Sequence, residues 1–119
     1  MILGKDAFSW NYRFITRFIG RYDAVAMRIL FSLETGDKNA PEPRVNEAFA
    51  DTLKKNLRRS DIIYQSRPNH FFAVLPLLTQ ENCHKVTDRV AGAWAARSES
   101  ADINITFAVS LIKKSDKNN

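Results

Sequence analysis

Asp61-Ile62-Ile63-Tyr64-Gln65-Ser66-Arg67-Pro68-Asn69-His70-Phe71-Phe72-Ala73-Val74-Leu75-Pro76 reads as a β-hairpin. Two runs rich in β-branched and aromatic residues flank Arg67-Pro68-Asn69-His70, and Pro followed by Asn between such runs is turn chemistry. Proline fixes φ near about −65° and suits the second position of a type I or II turn, with Asn69 after it. A type I′ turn needs positive φ at both central residues, which Pro68 does not allow. The stretch therefore predicts two paired strands in mid-chain with residues 67–70 at their tip.

The flanking sequence alternates between helical and strand periods. Downstream, Thr79 is expected to cap a helix to about Arg97 that buries Val86, Val90, Ala93 and Trp94. Ile103, Ile105, Phe107, Val109 and Leu111 then alternate with Asn104, Thr106, Ala108 and Ser110 as a last strand. Upstream, Pro43 starts a helix to about Arg59 with Val45, Phe49, Leu53 and Leu57 as its apolar ridge. A Gly/Pro-rich loop, Glu34 to Pro43, precedes it. Before that loop, Ala24 to Leu33 reads as a strand with Val25, Met27, Ile29, Phe31 and Leu33 inward and Arg28 and Ser32 outward. At the start, Asp6 is expected to N-cap a helix to about Arg21, closed by Gly20 and the Arg21-Tyr22-Asp23 turn. After this helix the order is β-α-β-β-α-β. That predicts an α+β, ferredoxin-like, four-stranded antiparallel sheet with two helices on one face, plus the additional N-terminal helix.

A chain of 119 residues with 45% hydrophobic and 26% charged residues fits one globular domain. Residues 1–113 are read as that domain and 114–119 as a polar tail. No apolar run reaches membrane-span length, and Met1-Ile2-Leu3-Gly4-Lys5-Asp6 meets an acid too early for a secretory leader. The one cysteine, Cys83, has no internal disulfide partner, which favours the cytoplasm. On the Cys83/Val86/Val90 ridge it reads as a small core residue. His84 beside it lacks the partners a zinc site needs. The net charge of +5 permits an anionic partner. Arg13, Arg17 and Arg21 make a basic strip at i, i+4 and i+8, read as a solvated face or as a ridge for a partner. Phe8, Tyr12, Ile15 and Ile19 share one helical face, with Trp10, Phe14 and Phe18 on an adjoining one. More rings are present than one face buries, which points to a protein partner or a homodimer.

At the hairpin the sequence resembles the GGDEF family, the diguanylate cyclase domains. The family signature runs Arg-x-x-Asp, three residues, then Arg-Tyr-Gly-Gly-Asp-Glu-Phe and an apolar strand ending near a proline. Arg58-Arg59-Ser60-Asp61 matches the first element without gaps, Gln65-Ser66-Arg67-Pro68-Asn69-His70-Phe71 occupies the second, and Phe72-Ala73-Val74-Leu75-Pro76 the strand. Asp6-Ala7-Phe8-Ser9 is similar to the Asp-x-Leu-Thr that opens the family's first helix, and Ile105-Thr106-Phe107-Ala108-Val109-Ser110 sits where a Thr-x-Ser-x-Gly strand is common. The likeness spans nearly the whole chain in layout, while the diagnostic residues are mostly replaced.

The resemblance implies where catalytic chemistry would lie. The cyclase joins two GTP molecules and needs divalent metals held by carboxylates, with a glycine turn that admits the triphosphate. The turn glycines are here Arg67 and Pro68, one bringing a long side chain and the other lacking an N–H. The acidic pair is Asn69 and His70, ahead of Phe71, and neither is anionic at neutral pH. The family's Asp-x-Asp at the end of the first strand is Ser32-Leu33-Glu34, so Ser32 and Asn69 mark lost metal positions. The guanine-reading segment is shortened to the loop Thr35 to Pro43. These replacements imply a degenerate, catalytically inactive member that uses no cofactor, a bacterial cytoplasmic signalling module working by association. Arg58 and Asp61 occupy the family's inhibitory site for cyclic di-GMP, and Arg89 falls about where an arginine on the next helix completes it in some members. Alone, the same residues read as a helix-end cation and the first residue of a strand. An RNA-binding RRM shares the β-α-β-β-α-β order, but no glycine-aromatic signature stands at His70-Phe71-Phe72. An active cyclase with unusual ligands is the third reading.

Overall fold

The computed structural model describes residues 2–112, so the tail read at 114–119 lies outside the described residues. In chain order the elements are β1 (Ile2–Leu3), α1 (Lys5–Tyr22), β2 (Ala26–Thr35), α2 (Pro43–Asn56), β3 (Ile62–Arg67), β4 (His70–Pro76), α3 (Gln80–Ala95), a short 3-10 turn (Ser98–Ser100) and β5 (Ile103–Ile112). The strands form one sheet in the order β1-β3-β4-β2-β5. From β2 onward this is the expected βαββαβ arrangement, antiparallel throughout. The fifth strand is a correction to the four expected: β1 pairs parallel with β3, Ile2 opposite Ile63 and Leu3 opposite Tyr64. Two residues are too few to carry a period, so sequence alone could not reveal them.

Alternation in β2 and β4 divides the core between the two faces of the sheet. Met27, Ile29, Phe31, Leu33, Phe71, Ala73 and Leu75 face α2 and α3. Phe49 of α2 is fully buried there, its ring 5.6 Å from Phe31, 5.4 Å from Phe71 and 5.3 Å from Trp94. On the opposite face, Ile15 and Ile19 of α1 pack with Ala26, Ile62, Val74 and Ile112, flanked by Leu3, Phe8 and Tyr12. Helix α1 is thus amphipathic because a sheet lies under one side of it.

Several boundaries differ from the sequence expectation, each for a local reason. Gly4, not Asp6, caps α1, while Asp6 lies in the first turn, where a carboxylate suits the helix dipole. Gly20 lies inside α1, and the left-handed closing position falls to Asp23 (φ 53°), whose N–H donates to the Ile19 carbonyl. Aspartate is one of the few side chains that tolerate this conformation. Helix α2 ends at Asn56, which leaves Arg58 in the turn beyond it. Strand β2 starts at Ala26, so Val25 stays outside the sheet and exposed. Thr79 does cap α3, its Oγ1 accepting from the Asn82 N–H at 3.3 Å. On β5, Ile103 and Ile105 reach the core, but Phe107, Val109 and Leu111 remain exposed, against expectation.

Candidate functional site

Pro68 and Asn69 are the two turn residues between β3 and β4, and neither has positive φ. The turn is therefore of the type I kind. Pairing runs Gln65 opposite Phe71 and then Arg67 opposite His70, so Ser66 forms a bulge. A bulge bends its strand, and here the tip lies against the end of β2. The Leu33 N–H donates to the Asn69 carbonyl at 3.0 Å, and Asn69 Nδ2 donates to the Leu33 carbonyl at 2.8 Å. Ser32 stands opposite His70 in the β2–β4 register. The structure thus brings Ser32, Asn69 and His70 together, as the resemblance placed them.

The hydrogen-bonding groups of that junction are largely satisfied within it, and its charges are Arg67 at the tip and Glu34 beyond Leu33. The Asn69 amide takes the Leu33 carbonyl, Gln65 Nε2 donates to the Pro68 carbonyl at 2.8 Å, and Pro68 supplies no N–H. A phosphate cradle needs backbone N–H groups aimed outward at one point, and here the Leu33 N–H is spent within the junction. Among the described residues no three His, Cys, Asp or Glu side chains come together as a metal site would require. The neighbouring loop is closed too: Thr35 accepts from Lys38 N–H at 2.8 Å, its own N–H donates to the Asn39 carbonyl at 2.9 Å, and Lys38 takes a left-handed φ of 63°. The bond of Gln65 to the turn was not foreseen from the sequence. Its one signal is its position three residues before Pro68, where a long amide reaches the turn carbonyl.

The second candidate group is Arg58, Asp61 and Arg89. Asp61 is 1% exposed. Its Oδ2 accepts from the Arg58 backbone N–H at 2.7 Å and from Arg58 Nε at 3.4 Å, while its Oδ1 accepts from Arg58 Nη2 at 2.9 Å. The same Nη2 donates to the Pro76 carbonyl at 2.8 Å. Arg58 and Asp61 form a closed pair that ties the turn after α2 to the end of β4. Arg89 does not join them. Its Nε and Nη2 donate to the Asn56 carbonyl at 3.2 and 2.7 Å, satisfying the exposed C-terminal end of α2. The three polar groups do not converge on an open cleft.

Other features bear on the remaining readings. Burial pushes the Cys83 thiol up from its ordinary pKa, and the residue is part of the core. Tyr64 and Phe72 lie on the sheet face opposite α2 and α3, but α1 crosses that face, with Phe8 stacked on Tyr64 at 5.2 Å. An RRM leaves that face open for bases. Among the described residues no helix is long and apolar enough to cross a membrane.

No protein-family model matches the chain, and no curated protein matches its sequence. Its fold, however, is that of the GGDEF diguanylate cyclase domains. The GGDEF domain of YfiN (TpbB) from Pseudomonas aeruginosa superposes with a TM-score of 0.77 at 15% identity, over 92% of this chain and 71% of that one. The GGDEF domain of DgcB from Caulobacter crescentus, solved in complex with c-di-GMP, gives 0.77 at 8% identity over 92% and 70%. The diguanylate cyclase SiaD from Pseudomonas aeruginosa, solved with its activator SiaC, gives 0.65 at 14% identity, over 91% of this chain and 45% of SiaD.

Proposed function

We propose that the chain is a catalytically inactive GGDEF-like module whose work is regulatory association with another protein. The observation that carries this reading is the hairpin tip. Where the fold would hold metal and triphosphate, an amide and a proline turn bond to β2 and to themselves, with Asn69 Nδ2 on the Leu33 carbonyl at 2.8 Å. A divalent ion bridging phosphates needs several anionic oxygens; Ser32 and Asn69 supply none, and Glu34 is the one carboxylate left of that signature. Incubation with GTP and magnesium or manganese is expected to give no dinucleotide. Appearance of cyclic di-GMP would overturn the reading.

The surface that fits a partner is the outer side of α1. Trp10 and Phe14 are 70% and 68% exposed, beside a groove of about 270 Å³ lined by Phe14, Phe18, Val25 and Leu77. Arg13, Arg17 and Arg21 lie along the same helix and make no ion pair among the described residues. Two copies meeting through this side would set arginines against arginines, so the charge favours a partner bearing carboxylates over a homodimer. The SiaD–SiaC complex supports a protein partner in this fold. Cyclic di-GMP, bound by DgcB, would here have to displace both Asp61 and the Pro76 carbonyl from Arg58. A calorimetric titration is therefore expected to give no heat at about tens of micromolar ligand; heat that Arg58→Ala abolishes would restore the dinucleotide to the function.

A further inference from the structure

We propose that the pocket between α1 and the sheet binds a small planar anion, its flat body between aromatic rings and its charged end on Arg28. Lys5, Phe8 and Tyr12 of α1 line an open pocket of about 300 Å³ with Arg28, Tyr64 and Phe72 of the sheet. That is the size at which small-ligand sites begin. Four of the named walls are rings, and Phe8 stacks on Tyr64 at 5.2 Å and on Tyr12 at 6.0 Å. An aromatic ligand ring entering beside them meets the geometry these rings already favour.

Arg28 supplies the reason for an anion. It stands mid-strand in β2, half-buried, with Nε donating to Ser110 Oγ and Nη1 to the Tyr12 hydroxyl, both at 3.3 Å. Both partners are neutral, and both bonds are long. Among the described residues Arg28 makes no ion pair, and no carboxylate lines the cavity. A guanidinium has five N–H donors in a planar fork suited to a carboxylate or phosphate. Even half-burying it without a counter-charge is unfavourable, and Lys5, exposed beside it, adds a second cation rather than relieving it. Two sources share the required chemistry: an aromatic carboxylate and a nucleoside monophosphate. The pocket stands apart from Arg58 and Asp61, so it holds or fails independently of the function proposed above.

The test uses the whole 119-residue chain and two matched probe pairs: 2-naphthoate against 2-naphthamide, and guanosine 5′-monophosphate against guanosine. Saturation-transfer NMR gives contact, and titration gives Kd. At least one anion is expected to bind below about 1 mM and about tenfold tighter than its neutral counterpart. Binding of naphthoate alone assigns the carboxylate source, and binding of the nucleotide alone assigns the other. Arg28→Met is expected to bring the ratio of the pair to about one, whereas Arg17→Met, on the outer side of α1, leaves it unchanged. Should circular dichroism show Arg28→Met unfolded, Phe8→Ala replaces it and is expected to weaken anion and neutral probe alike by about fivefold. No binding of either anion, equal binding of the neutral probes, or full preference in Arg28→Met overturns the proposal, as does unchanged affinity in Phe8→Ala.

Discussion

A carboxylate that is 1% exposed must find its partners inside the protein, and Asp61 finds them all on Arg58. The Arg-x-x-Asp spacing thus has a structural use that needs no ligand, since it closes the turn between α2 and β3. Asp61→Ala strands the Arg58 N–H and frees a guanidinium, and is expected to cost about 2 kcal/mol in urea unfolding. A loss within error of zero would mean the pair contributes nothing to the fold. Phe49 sets a larger scale: it is fully buried against three other rings, and Phe49→Ala is expected to cost about 3–5 kcal/mol by the same measurement. Cys83 gives a chemical readout of the same core. Its buried thiol has a raised pKa, so iodoacetamide at mildly alkaline pH should label the native chain on the order of a hundredfold more slowly than the unfolded one. Equal rates would show α3 opening freely.

Among the elements, the hairpin, the helix capped by Thr79 and the buried alternation of β2 were legible in the sequence because each is set by local chemistry: a proline turn, a hydroxyl cap, a period of two. What escaped reading depends on distant neighbours. Phe107, Val109 and Leu111 have the same pattern as β2 and stay exposed, because pattern tells which side is apolar and not whether a helix covers it. The site divides the same way. Its position at the tip was legible, whereas the closure of Arg58 on Asp61 and of Arg89 on Asn56 required coordinates. One contact between elements makes a pH prediction. Arg97 Nη1 bonds Asp51 Oδ2 at 2.9 Å and its Nε bonds Glu99 Oε1 at 3.4 Å, tying α2 to the segment after α3. Arg97, then Lys55, holds the Asp51 carboxyl below its ordinary value of 3.8. A backbone hydrogen bond, then Arg97, holds Glu99 below 4.5. Lowered folded-state pKa values mean stability that is whole above those ordinary values and is lost as pH falls through the folded ones. Arg97→Met should therefore lower Tm at about pH 7 and lower it progressively less as the pH is taken down below the ordinary carboxylate values. A difference that stays constant over that range would remove the ion pairs from the account.

For the whole molecule the unequal edges of the sheet matter most. Strand β5 is ten residues, Ile103–Ile112, without a charge or a proline. It stands at the end of the strand order with Phe107, Val109 and Leu111 exposed. Long uncharged edges invite strand addition, and a lysine there is a common protection. Val109→Lys should raise the temperature at which heated samples scatter light while leaving the circular dichroism of the fold unchanged; an unaltered onset would clear this edge of blame. At the other border, among the described residues, β1 presents just Ile2–Leu3, a far shorter ledge than β5. Association by this route accordingly has a built-in stop. Two molecules joined antiparallel through β5 use up the one long edge strand that the described residues leave open on each, so the product is a closed pair and not a growing filament.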